Sequence, residues 1–338
     1  MNAFETRMLL GIAAIGFTAT AETASAQSIP EVPRPDALGV VGVSRDPKAR
    51  EALAELGVGW VRIGEYQLGE RRDDLTRIPR EGYGLWLTLF HRDRANVADA
   101  RAFDASERGG FPPADGARYQ ELVRSTVRPL VEGLRAAGRD PARWLVVQIE
   151  NEVLPRDVLP PDRPRRFWHG TGEEYLSTLA LAYEAVKSVE PSVPVAAAGI
   201  SSEMLAELVR GEHRLITSWG ERLLKEGRFD WADVHLYNRV DEIPAKVAWV
   251  RARWAGPIAG TEVGGPDEAS GARYSEELHA EDVAARIGAA REAGVRRIFW
   301  SPFFENPNLE SRFVPMCLVA SGGRRKPAFA VLSQLAAE

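Results

Sequence analysis

Short apolar runs alternate with amphipathic helical segments eight times along this 338-residue chain. Each run has the length of a β-strand, and each following segment places its apolar residues at helical spacing. Strand and helix repeated at about 35 to 40 residues a unit are typical of a closed barrel rather than an open sheet. We therefore predict a single-domain α/β chain, a (β/α)8 TIM barrel, whose strands are residues 37–43, 60–63, 83–90, 144–152, 193–198, 231–237, 257–261 and 297–300.

Helix boundary signals agree with this alternation. Asp46-Pro47 is a typical helix start, and Thr171-Gly-Glu-Glu174 has the form of a capping box. One helix is expected over residues 117–137, with a kink at Pro129, and another over residues 203–226. No Gly-x-Gly-x-x-Gly or P-loop sequence follows a predicted strand, which excludes the common nucleotide-binding folds.

The connections at the two ends of the predicted barrel differ in length. Several helix-to-strand turns are centred on one glycine, whereas the loops after strands three, four, seven and eight are long. Active sites of such barrels lie at the carboxyl ends of the strands, where these long loops meet. The pattern therefore predicts a cleft at that rim.

The amino terminus has the features of a secretory signal peptide. An apolar run over residues 8–18 is followed by Ala24-Ser-Ala26, which has the form of a cleavage site. We expect residues 1–26 to be removed and residues 27–338 to form the barrel domain of a secreted or periplasmic protein. No other stretch approaches the roughly 20 apolar residues that a membrane span needs, so no membrane anchor is expected.

Charge and cysteine content restrict the partners. The formal net charge is -5, which argues against nucleic acid as a ligand. The single cysteine, Cys317, cannot form an intramolecular disulfide, and we interpret it as a buried small hydrophobe. We expect a monomer.

Residues able to carry chemistry stand at the ends of the predicted strands. The fourth strand ends with Asn151 and Glu152, and the seventh ends with Glu262. In a barrel these positions meet at one mouth, so the two carboxylates are the candidate catalytic pair. The other strand-end residues form a polar and aromatic ring: Arg62, His91, His235, Tyr237 and Trp300.

This arrangement resembles the clan of (β/α)8 retaining glycoside hydrolases, which includes cellulases, mannanases, xylosidases and β-galactosidases. The resemblance rests on the Asn-Glu pair of the fourth strand, the glutamate of the seventh, His-x-Tyr on the sixth, and Arg62 and Trp300. The pentapeptide Gln148-Ile-Glu-Asn-Glu152 is similar in particular to the β-galactosidase members. The layout covers the predicted mature chain, and the detailed match covers only these residues.

The resemblance implies a role for each residue of the ring. Glu262 would be the nucleophile, with Arg62 and Tyr237 as hydrogen-bond donors that keep it charged. Glu152 would be the acid/base, and the charge of Glu262 would help it to keep its proton. Asn151 would bind the 2-hydroxyl of the sugar.

The resemblance also implies a carbohydrate substrate and neither a cofactor nor a metal, and the remaining ring residues are expected to contact that substrate. Trp300 would stack on the apolar face of a sugar, and His91 and His235 would line the same subsite. Trp168, in the long fourth loop, could be a distal sugar platform or could only hold that loop in place. The arginines between Arg156 and Arg166 could attract an acidic polysaccharide, although a solvated loop face fits this arginine-rich chain better.

Three alternatives remain open at the level of sequence. Glu150 competes with Glu152 as the acid, because alternation places both on one side of the strand. A metal-dependent sugar isomerase or hydrolase on the same barrel would use Glu152, His235 and Glu262 as ligands. A carbohydrate-binding barrel without turnover would keep the same residues, since binding does not require reaction.

Overall fold

A computed structural model describes most of the predicted barrel domain. The described residues are 38–42, 46–67, 74–106, 108–159, 167–237, 239–266, 274–305, 309 and 311–338. The predicted signal peptide, residues 1–26, lies outside this part of the chain. No helix in the described ranges is long and apolar enough to cross a membrane.

Eight parallel strands form a barrel, as the sequence pattern predicts. Their order is β5-β4-β3-β2-β1-β8-β7-β6, and parallel bridges from Ala196 to Trp231 and from Ile200 to Val234 join β5 to β6. The strands are β1 (Gly39–Val41), β2 (Trp60–Gln67), β3 (Gly84–Phe90), β4 (Leu145–Ile149), β5 (Val195–Ala196), β6 (Ala232–Leu236), β7 (Ile258–Val263) and β8 (Arg297–Trp300).

Helices separate the strands and cover the outside of the barrel. They are α1 (Pro47–Leu56), α2 (Asp74–Arg80), α3 (Ala100–Asp104), α4 (Gly116–Ala136), α5 (Pro141–Trp144), α6 (Gly172–Val189), α7 (Ser202–Arg210), α8 (Arg214–Glu226), α9 (Ile243–Arg251), α10 (Glu276–Glu292) and α11 (Pro327–Ala337). The capping box of Thr171 and Glu174 is present, and α4 continues through Pro129. The single helix expected over residues 203–226 is wrong, because Gly211 adopts a left-handed φ of 70° and ends α7.

The inside of the barrel is filled in layers, as in other barrels of this type. The layer at the amino-terminal ends of the strands is aromatic and buried, and its largest members are Trp60, Trp86 and Phe299. Gly39 and Gly84 make room for it, because a Cβ at Gly84 would lie 2.5 Å from the Trp60 ring and one at Gly39 would overlap Phe299. This packing closes the barrel at the end opposite the predicted cleft.

Directly above the aromatic layer lies a layer of polar side chains. Arg62 Nε donates to Thr88 Oγ1, and Thr88 Oγ1 donates to Gln148 Oε1 at 2.8 Å. Gln148 Nε2 donates to Asp233 Oδ2 at 2.6 Å, and Arg62 Nη1 donates to the Thr261 carbonyl at 3.3 Å. Thr261 Oγ1 donates to Asp233 at 2.5 Å and completes the ring. Five strands are therefore tied together immediately below the mouth of the barrel.

Candidate active site

The turn after β4 positions the Asn-Glu pair. Ile149 is the last residue of the strand, and Glu150 and Glu152 have φ angles of 61° and 43°. Positive φ is costly for residues other than glycine and persists where surrounding contacts enforce it, often at functional sites. Glu150 N donates to the Leu89 carbonyl, which fixes the start of the turn. Backbone strain is thus concentrated in the turn that carries Asn151 and Glu152, the two residues that the sequence predicts to be functional.

The two candidate catalytic carboxylates meet across the mouth of the barrel. One oxygen of Glu152, one ring nitrogen of His235 and one oxygen of Glu262 all lie within 4.8 Å of one another. Both carboxylates remain partly accessible, with side-chain exposures of 17% and 19%. Retaining glycosidases hold their two carboxyl groups about 5 to 5.5 Å apart, whereas inverting enzymes need a wider gap for water. The separation is therefore compatible with double displacement.

Glu262 is surrounded by groups that stabilise its charge. Arg62 Nη1 donates to Oε1 at 2.7 Å, and the Tyr237 hydroxyl donates to Oε2 at 3.0 Å. Burial would raise the pKa of Glu262, but the positive charges of His235 and Arg62 override it and hold the pKa well below its usual range. Glu262 is therefore an anion at neutral pH, as a carboxylate nucleophile must be.

Asn151 is held against the same carboxylate. Arg62 Nη2 donates to its side-chain oxygen at 2.8 Å, which leaves the amide nitrogen turned to Glu262 Oε1 at 3.4 Å. The orientation of the amide is thus fixed by an arginine that also binds Glu262. An amide donor so close to a candidate nucleophile is suitably placed for a hydroxyl next to the reacting carbon.

His235 lies between the two carboxylates and is fully buried. Its Nδ1 is 2.7 Å from Glu152 Oε1 and 3.5 Å from Glu262 Oε2. Burial would lower the pKa of this imidazole, but Glu262, Asp233 and Glu152 together raise it to about 10. At neutral pH the ring is therefore an imidazolium that donates to Glu152.

Glu150, the alternative acid, occupies a different environment. Its side chain is fully buried, and Oε1 accepts a hydrogen bond from His91 N at 2.8 Å. Burial raises its pKa to about 8, despite that hydrogen bond and the charge of Arg92. A Cβ on Gly110 would overlap this carboxyl group, so the third loop closes over it. The partly accessible Glu152 is the one that faces Glu262.

The remaining predicted ring residues are buried in the wall of the site. Trp300 is fully buried, and its indole N–H donates to the Met316 carbonyl at 2.9 Å. His91 is fully buried, with Nδ1 2.7 Å from the Phe111 carbonyl. Neither presents an accessible face in this structure. A partly exposed aromatic ring beside Tyr237 belongs instead to Phe313, at a centroid distance of 5.8 Å.

The fourth loop is anchored by Trp168. This side chain is 1% exposed, donates to the Thr171 carbonyl at 3.0 Å and packs edge-on against Tyr175. It therefore holds the loop in place and offers no surface for a sugar in this structure. Arg156 lies 3.4 Å from Glu174, and the other arginines of its cluster fall outside the described residues.

The sequence did not single out the polar layer or Phe313. Thr88, Gln148 and Asp233 lie one alternation below the strand ends, so their period-2 positions inside the barrel were a usable signal. Phe313 lies in the loop after β8, where no periodic pattern applies. Ser301 was also missed, and its hydroxyl lies 3.0 Å from that of Tyr237. Because the single Tyr237 proton goes to Glu262, Ser301 is the donor of this pair.

Solved structures with a similar fold include several glycosidases. The chain aligns with a monomeric β-xylosidase from Caulobacter crescentus CB15 at 16% identity and a TM-score of 0.60, over 90% of this chain and 68% of that one. A glucosidase from Croceicoccus marinus aligns at 14% identity and a TM-score of 0.61, over 91% and 68% of the two chains. The GH53 catalytic domain of Ignisphaera aggregans aligns at 16% identity and a TM-score of 0.55, over 90% of this chain and 97% of that one.

These similarities establish the fold. The chain has the (β/α)8 architecture found in glycoside hydrolases, which confirms that part of the resemblance noted in the sequence. No protein-family profile matches the chain, and no curated protein matches it in sequence. The chemistry is therefore argued from the side chains themselves.

Proposed function

We propose that the protein is a retaining β-glycosidase, with Glu262 as nucleophile and Glu152 as acid/base. The observation that carries this proposal is the pair of partly accessible carboxylates within 4.8 Å of each other, one of them strongly stabilised as an anion. A double displacement needs this asymmetry, because one carboxylate attacks while the other transfers protons.

The first step forms a glycosyl ester. Glu262 attacks the anomeric carbon, the bond to the leaving oxygen breaks, and Glu152 gives that oxygen its proton. The Arg62 and Tyr237 donors orient the two oxygens of Glu262 and limit their rotation. Asn151 binds the neighbouring hydroxyl, a contact that strengthens as positive charge develops on the sugar ring.

The second step releases the sugar. Glu152, now a carboxylate, removes a proton from water, and the resulting hydroxide attacks the anomeric carbon while Glu262 leaves as an anion. The same donors that stabilised Glu262 before the reaction stabilise it again as a leaving group. Water supplies the hydroxyl of the released sugar and the proton that regenerates Glu152, so the enzyme returns to its starting state.

The substrate class is proposed from the mouth and from the structural neighbours. The neighbours carry the names β-xylosidase and glucosidase, and the rim of this chain has long loops suited to a carbohydrate. We infer a plant or microbial β-linked polysaccharide or oligosaccharide, hydrolysed outside the cytoplasm if the amino-terminal signal peptide functions as its pattern indicates.

Covalent labelling tests this proposal. A panel of chromogenic β-glycosides would first identify the accepted sugar. Its 2-fluoro derivative, which forms a slowly hydrolysed glycosyl-enzyme, should then label the peptide that contains Glu262. Glu262→Gln should abolish labelling, whereas Glu150→Gln, a matched change in a buried carboxyl group, should retain it. A label on any other residue would refute the assignment of the nucleophile.

The metal-dependent alternative predicts that activity is lost when divalent cations are removed. Glu152, His235 and Glu262 lie close enough to share an ion. However, Arg62 and Tyr237 already bind both oxygens of Glu262, and a protonated His235 cannot act as a ligand. We therefore expect full activity after dialysis against EDTA. Loss of activity that added Mn²⁺, Mg²⁺ or Zn²⁺ restores would favour the isomerase or hydrolase hypothesis.

A further inference from the structure

Asp233 is a buried carboxylate without a role in the steps above. It is 1% exposed and lies in the polar layer below the mouth. Oδ1 accepts from Thr261 N at 3.0 Å, and Oδ2 accepts from Thr261 Oγ1 at 2.5 Å and from Gln148 Nε2 at 2.6 Å. Both oxygens of Asp233 therefore accept hydrogen bonds from other strands, and the side chain has one fixed orientation.

His235 connects this buried anion to the mouth. Its Nε2 lies 3.5 Å from Asp233 Oδ2, and its Nδ1 lies 2.7 Å from Glu152 Oε1. The ring fits there because residue 199 is glycine, since a Cβ at that position would overlap Nε2. The imidazole thus bridges two carboxylates at different depths of the barrel.

We propose that Asp233 is a positioning residue for the acid/base step: together with Glu262 it holds His235 as a ring protonated on both nitrogens, so that Nδ1–H occupies Glu152 Oε1 and the catalytic proton resides on Oε2. This inference rests on the proposed glycosidase function. In Ser-His-Asp triads a buried aspartate likewise orients a histidine and stabilises its imidazolium form.

The arrangement assists proton transfer at a defined atom. When Glu152 gives the Oε2 proton to the leaving oxygen, the new negative charge on Glu152 is stabilised by the Nδ1–H donor. Without the charge of Asp233, His235 would lose the proton on Nε2, which faces Asp233, and with it the positive charge of the ring. Nδ1–H would still donate to Glu152 Oε1, but a neutral ring would stabilise the new negative charge on Glu152 less.

Leaving-group dependence tests this role in the full chain. For Asp233→Asn, we compare kcat/KM for phenyl and 2,4-dinitrophenyl β-glycosides of the sugar that the panel identifies. We expect a loss of about 10- to 100-fold for the phenyl glycoside, since general acid catalysis contributes about 10²- to 10⁴-fold. Dinitrophenolate leaves without protonation, so its glycoside should lose less than about 3-fold, well below the acid-catalysis range.

A matched variant separates positioning from damage to the layer. Thr88→Val changes an equally buried residue of the same layer, which hydrogen-bonds to Arg62 and Gln148 and, among the described residues, makes no hydrogen bond to His235. Because Arg62 binds Glu262, the loss of the Thr88 hydroxyl should impair the nucleophile, and hydrolysis of both glycosides should slow equally. If Asp233→Asn also slowed both equally, the inference would be overturned and the glycosidase proposal would stand. If Asp233→Asn does not fold, Gly199→Ala displaces the ring from Asp233 and should reproduce the selective loss.

Histidine NMR provides a readout that is independent of turnover. The chain has five histidines, so long-range ¹H–¹⁵N spectra of the rings are assignable with a His235→Gln variant. At neutral pH we expect two protonated ring nitrogens for His235 in the wild type and one in Asp233→Asn. Unchanged ring protonation would overturn the inference. A panel in which no glycoside reacts would refute the glycosidase itself, and the spectra would still show whether Asp233 controls His235.

Discussion

The two ends of the barrel interior each hold a buried arginine, and they use it differently. At the mouth, Arg62 forms a 2.7 Å ion pair with Glu262 and donates to Asn151. At the opposite end, the Arg297 guanidinium lies 3.6 Å from the centroid of the Trp60 ring and 4.8 Å from that of Trp231. One arginine orients charges that remain partly accessible, and the other fills an aromatic layer as a flat cation.

Backbone geometry differs in the same direction. Non-glycine residues with positive φ occur at the mouth, at Glu150 and Glu152, among the described residues. The aromatic layer instead uses glycines at positions 39 and 84 to accommodate its rings without strain. The mouth therefore has backbone strain and closely paired, partly accessible charges suited to chemistry, while the opposite end supplies stability.

Removal of an aromatic ring from the stabilising layer should have the largest effect. Trp60→Ala should lower the free energy of unfolding by about 3 to 5 kcal/mol, because it leaves a cavity and removes the ring under Arg297. The folded fraction should keep its kcat/KM. Urea denaturation and glycosidase assays would measure the two quantities, with Trp60→Phe as a milder control. A specific loss of activity would break the division between the two ends.

Matched arginine substitutions should sharpen the comparison. Arg62→Lys keeps the charge but loses the planar fork that holds Glu262 and Asn151, so kcat/KM should fall about 100-fold. Arg297→Lys loses flat stacking on Trp60 and should reduce stability by about 1 to 2 kcal/mol with unchanged kcat/KM. Steady-state kinetics and thermal unfolding would be measured on both variants. Equal kinetic losses would contradict the proposed separation.

Proton binding by Glu150 should make the free energy of unfolding depend on pH. Its pKa rises from 4.5 to about 8 on burial, so the folded protein binds one more proton than the unfolded chain between those values. Stability from this group is complete below about pH 4.5 and is lost as pH rises through 8. Relative to the wild type, Glu150→Gln should therefore gain about 4 kcal/mol between pH 5 and 9, since one unit of pKa shift corresponds to about 1.4 kcal/mol. Denaturation curves at each pH would measure the two free energies of unfolding. A difference between wild type and Glu150→Gln that did not change with pH would contradict this prediction.

The smallest effect should come from a single methyl group. Gly84→Ala places a Cβ 2.5 Å from the Trp60 ring and should cost about 1 to 2 kcal/mol by overpacking. Gly133→Ala is the matched control, since it lies in α4 with no atom within 4 Å of the new Cβ, and it should stabilise by about 0.5 to 1 kcal/mol. Thermal unfolding should show a lower midpoint temperature for Gly84→Ala and a higher one for Gly133→Ala, relative to the wild type. Equal shifts would contradict the close packing of the aromatic layer.

Much of the fold was predictable from local pattern. The eight strands were located because apolar runs and helical segments have different periods, and β8 was predicted at its observed residues, Arg297–Trp300. The break at Gly211 was missed because the apolar spacing on both sides is compatible with one helix. One glycine in a left-handed conformation decided that point, and periodicity does not report backbone dihedrals.

The candidate site was predictable in part. The sequence placed Glu152 and Glu262 at strand ends, and parallel strands in a barrel bring such positions to one mouth. The sequence could not decide whether Glu150 or Glu152 is the acid, because both follow the same strand and alternation places them on the same side. The positive φ angles of the turn separate them, so that Glu150 is buried under Gly110 while Glu152 remains partly accessible. The burial of Trp300 was equally hidden, since it depends on the loop that carries Met316.

The sequence by itself determined the alternation of strands and helices, and with it the barrel and the rim at which carboxylates collect. This follows because side-chain periodicity and chain order are local properties. Only the tertiary structure decided which carboxylate is charged, which histidine nitrogen faces it, and that Asp233 lies beneath that ring. Those properties depend on distances of a few ångströms between residues far apart in the chain, and electrostatic energies change steeply over such distances.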